Sequence, residues 1–308
     1  MSAKPLIAVT GGTGFVGQRL LDLAGDDVTL RALTRRKQPS RPGVEWIEGA
    51  LDQPDSLEAL AKGADAVIHI AGVINARDAA GFEAGNVAGT AAMIAAAKAV
   101  GVKRFIHVSS LAAREPQLSA YGASKRRSEE TLGDAIGLDW TIIRPPAVYG
   151  PGDRETLQLF RMAKQGLMLL PPGGRLSLVH ADDLSGLLLR LALSTDAAGD
   201  VLEVDDGRPG GWSHDDFARA VGEAVGGRVR TIALPAPLLT FGAAVDTSLS
   251  RLTGRQPKLS FDRARYFCHP DWVVSSHAQP APELWRPSID THHGLRHTAD
   301  WYRDKGWL

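Results

Sequence analysis

A single cysteine, Cys268, stands among 308 residues, so no disulfide can form within the chain and an oxidising compartment is not implied. Charge of neither sign prevails: 35 Lys and Arg offset 35 Asp and Glu. That balance argues against a nucleic-acid partner, because phosphate binding rests on a clustered cationic excess. No apolar run approaches the ~20 residues a membrane span requires. The first apolar run begins within a few residues of Met1 and leaves no room for a secretory leader. Neither an internal repeat nor a low-complexity segment is present. These absences lead to the expectation of a cytoplasmic globular protein acting on a small molecule, long enough for a large core.

What the sequence does contain is a rhythm. Leu6–Val9, Val28–Leu33, Ala66–Ile70, Phe105–Val108 and Trp140–Ile143 are short, apolar and rich in β-branched residues, as suits strands buried on both faces of a parallel sheet. Between them Phe15–Ala24, Pro54–Lys62, Asn86–Val100 and Tyr121–Ala135 predict helices. The alternation predicts an α/β fold: a Rossmann-type doubly wound parallel sheet with right-handed crossovers. After Arg144 the rhythm breaks at Pro145-Pro146, Pro151-Gly152 and Pro171-Pro172-Gly173-Gly174. Helices are expected at Asp182–Ser194 and at Ser213–Val225, the latter opened by a capping serine with acids in its first turn. The expected organisation is a dinucleotide-binding domain over residues 1–150, with later strands interleaved from about 176–204. Residues 151–308 form mainly a smaller, mostly helical substrate-binding region packed on the carboxyl edge of the sheet.

Thr10-Gly11-Gly12-Thr13-Gly14-Phe15-Val16-Gly17 lies between the first strand and the first helix. In that setting Gly11 permits the tight turn, Gly14 lets a pyrophosphate approach the backbone, and Gly17 allows close helix–strand packing, with the helix N-terminus facing the phosphates. The loop residues Gly11, Thr13, Gly14, Phe15, Val16 and Gly17 are therefore candidates for holding NAD(P). The second strand ends Leu33-Thr34-Arg35-Arg36-Lys37, with no acid in reach to grip a ribose 2′-hydroxyl. Arg35 and Arg36 favour the 2′-phosphate of NADP(H), with NAD(H) as the alternative.

Tyr121 and Lys125 are four residues apart and share one helix face. A phenol with its ordinary pKa near ~10 is a poor acid–base at neutral pH. An adjacent ammonium and the positive charge of a nicotinamide would lower it towards the working range. Ser110, at the end of the fourth run, is placed to hydrogen-bond a substrate oxygen against that tyrosine.

With these motifs in hand, the chain resembles the extended short-chain dehydrogenase/reductase family, also called the NAD-dependent epimerase/dehydratase family. The resemblance runs nearly end to end: Thr10–Gly17, His69-Ile70-Ala71-Gly72, Asn86–Thr90, Val108-Ser109-Ser110, Tyr121–Lys125, Arg144–Asp153 and Val179–Leu184. It implies a catalytic Ser110 (Ser109 as the alternative), Tyr121 and Lys125, the lysine also binding the nicotinamide ribose. It further implies cofactor contacts from Leu51, from Ala71 and Gly72 after the third strand, from Ser109, and from Pro145 and Val148 around the Arg-Pro motif. A homodimer through helices 86–100 and 121–135 is the family's frequent arrangement. Two departures stand out. Gly49-Ala50-Leu51 replaces Gly-Asp-Leu, which loses an adenine contact or moves it to Asp52. Pro145-Pro146 replaces the aromatic–Asn pair of nucleotide-sugar members, and a buried diphosphate without a polar partner is costly.

The resemblance therefore implies hydride transfer between NADP(H) and a carbonyl or hydroxyl of a bulky, apolar substrate. The alternatives are an epimerase or dehydratase of nucleotide sugars with tightly held NAD, and a non-catalytic assembly-factor relative. Lesser candidates read as structural. His69, His107 and His180 close strands; His293 and His297 share a helix face but lack a third ligand, so no metal site is expected. Asp182-Asp183 open a helix, where acids suit the dipole. Trp272, Trp285, Trp301 and Trp307 suit a core. Arg144 braces a strand end, and Arg175 is the candidate for contact with an anionic substrate.

Overall fold

The computed structural model describes residues 4–253 and 261–308. The N-terminal half alternates β1 (Leu6–Thr10), α1 (Phe15–Leu23), β2 (Thr29–Thr34), β3 (Val44–Glu48), α2 (Pro54–Ala61) and β4 (Ala66–His69). Next come a helical run, α3 (Ala79–Phe82) continued into α4 (Gly89–Ala99), then β5 (Arg104–Val108), α5 (Ala120–Gly133) and β6 (Asp139–Arg144). The chain goes on through β7 (Ala147–Tyr149), α6 (Leu157–Lys164), β8 (Leu167–Leu170), β9 (Arg175–Leu176), β10 (Leu178–His180), α7 (Ala181–Ala192) and β11 (Val201–Glu203). It closes with β12 (Trp212–Ser213), α8 (His214–Ala224), β13 (Arg230–Ala233), α9 (Ala236–Thr253), α10 (Phe261–Phe267), β14 (Asp271–Trp272) and α11 (Thr291–Asp304).

The chain divides into two units. The first holds residues 1–145, 181–204 and 278–285; the second holds 146–180, 205–277 and 286–308. In the first, seven parallel strands form one sheet in the order β11-β6-β5-β4-β1-β2-β3. The order reverses between β1 and β4, which is where doubly wound sheets open a crevice for ligands. The strands are apolar on both faces because helices cover both: β4 and β5 are buried throughout. Leu57, Leu60, Met93, Phe105 and Leu132 pack one side. On α1, Arg19 forks onto Asp182 of α7 at 2.7 and 2.9 Å, so Asp182 serves as an ion-pair partner within the sheet flank.

The strand β3 escaped the periodicity because it is only partly buried and lies at the sheet edge. The helix expected to open at Asn86 instead begins at Ala79, where the Asp78 side chain caps Gly81 N at 2.9 Å. Residues Glu83–Ala88 form a π-helical turn in the middle of that run. Asn86 therefore caps nothing and is turned towards the loop after β4.

In the second unit a separate core gathers Tyr149, Phe160, Trp212, Phe217, Leu295 and Tyr302. Ser213 caps α8 by accepting from Asp216 N at 3.0 Å. Arg175 donates to Gly210 O and, at 2.9 Å, to Gly211 O. The guanidinium expected to meet an anionic substrate is thus engaged in bracing a glycine turn. Trp212, Trp301 and Trp307 pack in or against this core, and Trp285 in the first unit donates to Asp183 O at 3.2 Å.

Candidate active site

The glycine loop follows β1 directly. Gly11 has φ +76°, and a Cβ there would lie 2.7 Å from Ala71 N, so only glycine allows the turn to pass under the loop after β4. A Cβ on Gly17 would run into Gly11 O, so α1 can sit this close to the turn only without a side chain at that position. Gly14 is the N-cap of α1, no side chain caps the helix, and no carboxylate stands in its first turn. Thr13 and Gly14 are exposed, while Phe15 and Val16 are half-buried. A bare helix N-terminus behind a glycine turn, free of competing anions, fits a pyrophosphate.

Arg35 and Arg36 are exposed just past β2. Thr34 fixes their turn, its hydroxyl donating to Arg36 O at 2.6 Å. The sheet adds a residue that reading β2 alone could not: Glu48, exposed at the end of β3, is the register partner of Thr34. An acid therefore does stand beside the end of β2, one strand over. Leu51 lies on the loop past β3, and a Cβ on Gly89 would meet its Cδ1 at 2.7 Å. Ala71 and Gly72 follow β4, and a Cβ on Gly72 would come within 3.0 Å of Asn86 Oδ1 and 3.7 Å of Lys125 Nζ.

The catalytic candidates are set by two serine caps and one glycine-dependent approach. Ser110 opens a short 3₁₀ turn, Leu111–Arg114, accepting from Ala112 N at 3.2 Å. Ser119 caps α5 by accepting from Gly122 N at 3.0 Å. A Cβ on Gly122 would lie 2.7 Å from Ala112 O, so glycine is what lets α5 close on that turn. The closure brings Tyr121 into side-chain hydrogen bonding with Ser110. Lys125, buried on the same face, donates from Nζ to Val108 O at 2.8 Å. Asn86 accepts from Val73 N at 2.6 Å and donates to Val73 O and to Ser124 Oγ, tying the loop after β4 to α5.

Burial raises the Tyr121 phenol above its ordinary pKa, opposed by the Ser110 hydrogen bond. The Lys125 ammonium is directed at Val108 O, and the Ser110 hydrogen bond favours the phenolate. Burial pushes Lys125 down to about 8, with Glu129 pulling the other way.

Ser109, the alternative to Ser110, donates to Glu129 Oε1 at 2.6 Å. Arg144 clasps the same carboxylate at 2.8 and 2.6 Å, and its pKa is raised chiefly by that bond. Glu129 was missed from the sequence, although it stands four residues after Lys125 on one helix face. Pro145 is buried, with its carbonyl accepting from Leu111 N at 2.9 Å. Val148 lies on β7 in the second unit, paired with Val179 of β10.

His69 and His107 are buried and stacked at 5.5 Å. His69 bridges Thr10 Oγ1 at 2.8 Å and Thr90 Oγ1 at 3.1 Å, and burial holds it neutral with a pKa of about 3. His107 donates to Ser128 Oγ, because that hydroxyl is itself donating to Lys125 O. In the second unit His180 packs edge-on against Tyr149 at 5.2 Å. Among the described residues no cluster of His, Cys, Asp or Glu is arranged to hold a metal. No helix there is long and apolar enough to cross a membrane.

A glycine turn at a bare helix N-terminus, with Ser110 past β5 and Tyr121 and Lys125 on α5, is an arrangement suited to nicotinamide chemistry. A sequence profile described as NAD(P)H-binding matches residues 11–166. The chain is 41% identical to "Ceramide reductase" of Caulobacter vibrioides over 99% of its own length and 97% of that protein. It is 31% identical to a 4-hydroxy-2-methyl-3-oxo-4-farnesyl-3,4-dihydroquinoline-1-oxide ketoreductase of Stigmatella aurantiaca, over 65% of this chain and 68% of that one. The crystal structure of the Bordetella bronchiseptica enzyme WbmG in complex with NAD and UDP shares the fold, with a TM-score of 0.72 at 17% identity, covering 100% of this chain and 97% of that one. The chain belongs to the extended short-chain dehydrogenase/reductase, or NAD-dependent epimerase/dehydratase, family. It is an NAD(P)-dependent enzyme of the oxidoreductase and epimerase class.

Proposed function

We propose that this enzyme is an NADPH-dependent reductase of a ketone on a long-chain amide lipid of the ceramide class. One observation carries the reading: Tyr121 is hydrogen-bonded to Ser110, with Lys125 buried on the same helix face. A phenol beside a serine can give its proton to the oxygen that a carbonyl reduction forms. The end-to-end likeness to Ceramide reductase supplies the substrate class, and Pro145-Pro146 supports an apolar substrate over a nucleotide diphosphate.

The glycine loop and the N-terminus of α1 would hold the pyrophosphate, Lys125 the nicotinamide ribose, and Arg35 with Arg36 the 2′-phosphate. Bound NADPH supplies the hydride. Ser110 orients the ketone oxygen, and Tyr121 donates its proton to that oxygen. Lys125 supplies the charge that steadies the phenolate left behind. A second copy would pack on α4 and α5, whose shallow groove is lined by Ala91, Ile94, Ala95 and Thr131. The test is twofold: calorimetric titration of NADPH against NADH, and consumption of NADPH when a keto-ceramide is added.

A further inference from the structure

We infer that α9 and the neighbouring two-stranded sheet of the second unit are a docking surface for an anionic lipid bilayer. An ordinary surface helix turns its bulky apolar residues inward. On α9 the pattern is reversed. Leu238, Phe241, Val245 and Leu249 fall on one stripe at helical spacing and are exposed, Phe241 by 68% and Leu238 by 57%. The inward side carries Ala243, fully buried, and Ser250. The α10 helix packs against α9 and adds exposed Phe261 and Phe267.

The strand before α9 repeats the pattern. In the β8–β13 pair, Ile232 stands beside Leu169 and Arg230 beside Leu167. All four are exposed, and alternation along each strand puts 230 with 232, and 167 with 169, on one face. Strand β13 leads into α9 within three residues.

The polar groups around these apolar residues favour one occupant. Arg228 and Arg230 precede Ile232, and Lys164 precedes Leu167; all three are exposed cations. On α9 itself the carboxylate is Asp246, half-buried. Exposed apolar side chains on a helix and on the strand pair that leads into it, with exposed cations on that pair, suit an interfacial element on anionic lipid. The inference rests on the ceramide-class reading, since a lipid substrate is met at a membrane surface.

The test is co-sedimentation of the full-length protein with vesicles of phosphatidylcholine alone and of phosphatidylcholine with a third phosphatidylglycerol. Activity on a short-chain keto-amide in detergent-free buffer and size-exclusion chromatography accompany it. The expected result is binding to the anionic vesicles, weakened tenfold or more in Leu238→Gln/Phe241→Gln and reduced by Arg228→Glu/Arg230→Glu. Soluble-substrate turnover and elution volume stay unchanged. Absence of vesicle binding, equal binding by the variants, or a loss of self-association in the Leu238→Gln/Phe241→Gln protein without vesicle binding would overturn it. If vesicles bind but no keto-lipid is reduced, the functional reading fails and the surface stands.

Discussion

The Ser109 hydroxyl donates to Glu129 Oε1 at 2.6 Å. Because Arg144 forks onto the same carboxylate, Ser109 is fixed in a buried polar cluster, and Ser110 is the serine that meets Tyr121. The two adjacent serines thus have different hydrogen-bond partners.

Ser110→Ala is expected to lower turnover by about 10²-fold or more, the usual effect of removing a donor at a reacting oxygen. Ser109→Ala should leave turnover within a few-fold and reduce unfolding stability by about 1–2 kcal/mol, from one lost buried hydrogen bond. Steady-state kinetics and urea denaturation of the pair separate the roles; a larger catalytic loss in Ser109→Ala would reverse the assignment.

Glu129 is buried and Arg144 half-buried. Arg144→Leu leaves a buried carboxylate without its counter-charge, which costs about 3–5 kcal/mol. The denaturation midpoint should fall accordingly, and the added substitution Glu129→Gln should restore part of it.

At the end of β2, Arg36→Glu should weaken NADPH binding by about 10–100-fold, the range of one or two charge-assisted hydrogen bonds, and leave NADH binding nearly unchanged. Glu48→Gln, beside Thr34 in register, should shift preference further towards NADPH. Equal effects on both cofactors would remove Arg36 from the phosphate site.

Two pH effects share burial as their cause and appear on opposite sides of neutrality. Lys125, pushed down to about 8 by burial, is charged at neutral pH, so NADPH affinity should fall above about pH 8, and Lys125→Met should flatten that limb. His69 has a folded pKa of about 3 against an ordinary 6.5. The unfolded chain takes up a proton that the folded one refuses, so this contribution to stability is complete above pH 6.5 and is lost as pH falls towards 3. His107, also lowered by burial, adds in the same direction. Urea midpoints measured from neutral to acid should show a shallower decline in His69→Gln.

Much of the sheet was legible because β1, β2, β4, β5 and β6 are buried on both faces and so read as apolar runs. The strand β3 was not, since an edge strand with exposed Glu45 and Glu48 lacks that signal. The π-turn at Glu83–Ala88 was hidden for a different reason: the long-range grip of Asn86 on Val73 sets it, and no local spacing announces a partner thirteen residues away. At the site, the glycine loop and the Tyr121–Lys125 spacing are local patterns and could be read directly. Glu48 beside Thr34 and Glu129 beneath Ser109 arise from strand register and helix packing, which appear only once the chain is folded. The long apolar stripe of α9 was passed over, because a periodic apolar face is ordinarily taken for core.

The most direct test of the account is to mix purified enzyme and NADPH with a keto-ceramide and to follow NADPH consumption and product mass, with Tyr121→Phe alongside. The account predicts one alcohol formed per NADPH oxidised, and a loss of about 10³-fold in Tyr121→Phe, with NADPH binding near that of the unsubstituted protein. Turnover retained in Tyr121→Phe, or a tightly held NAD regenerated on a nucleotide sugar with no net redox change, would contradict it.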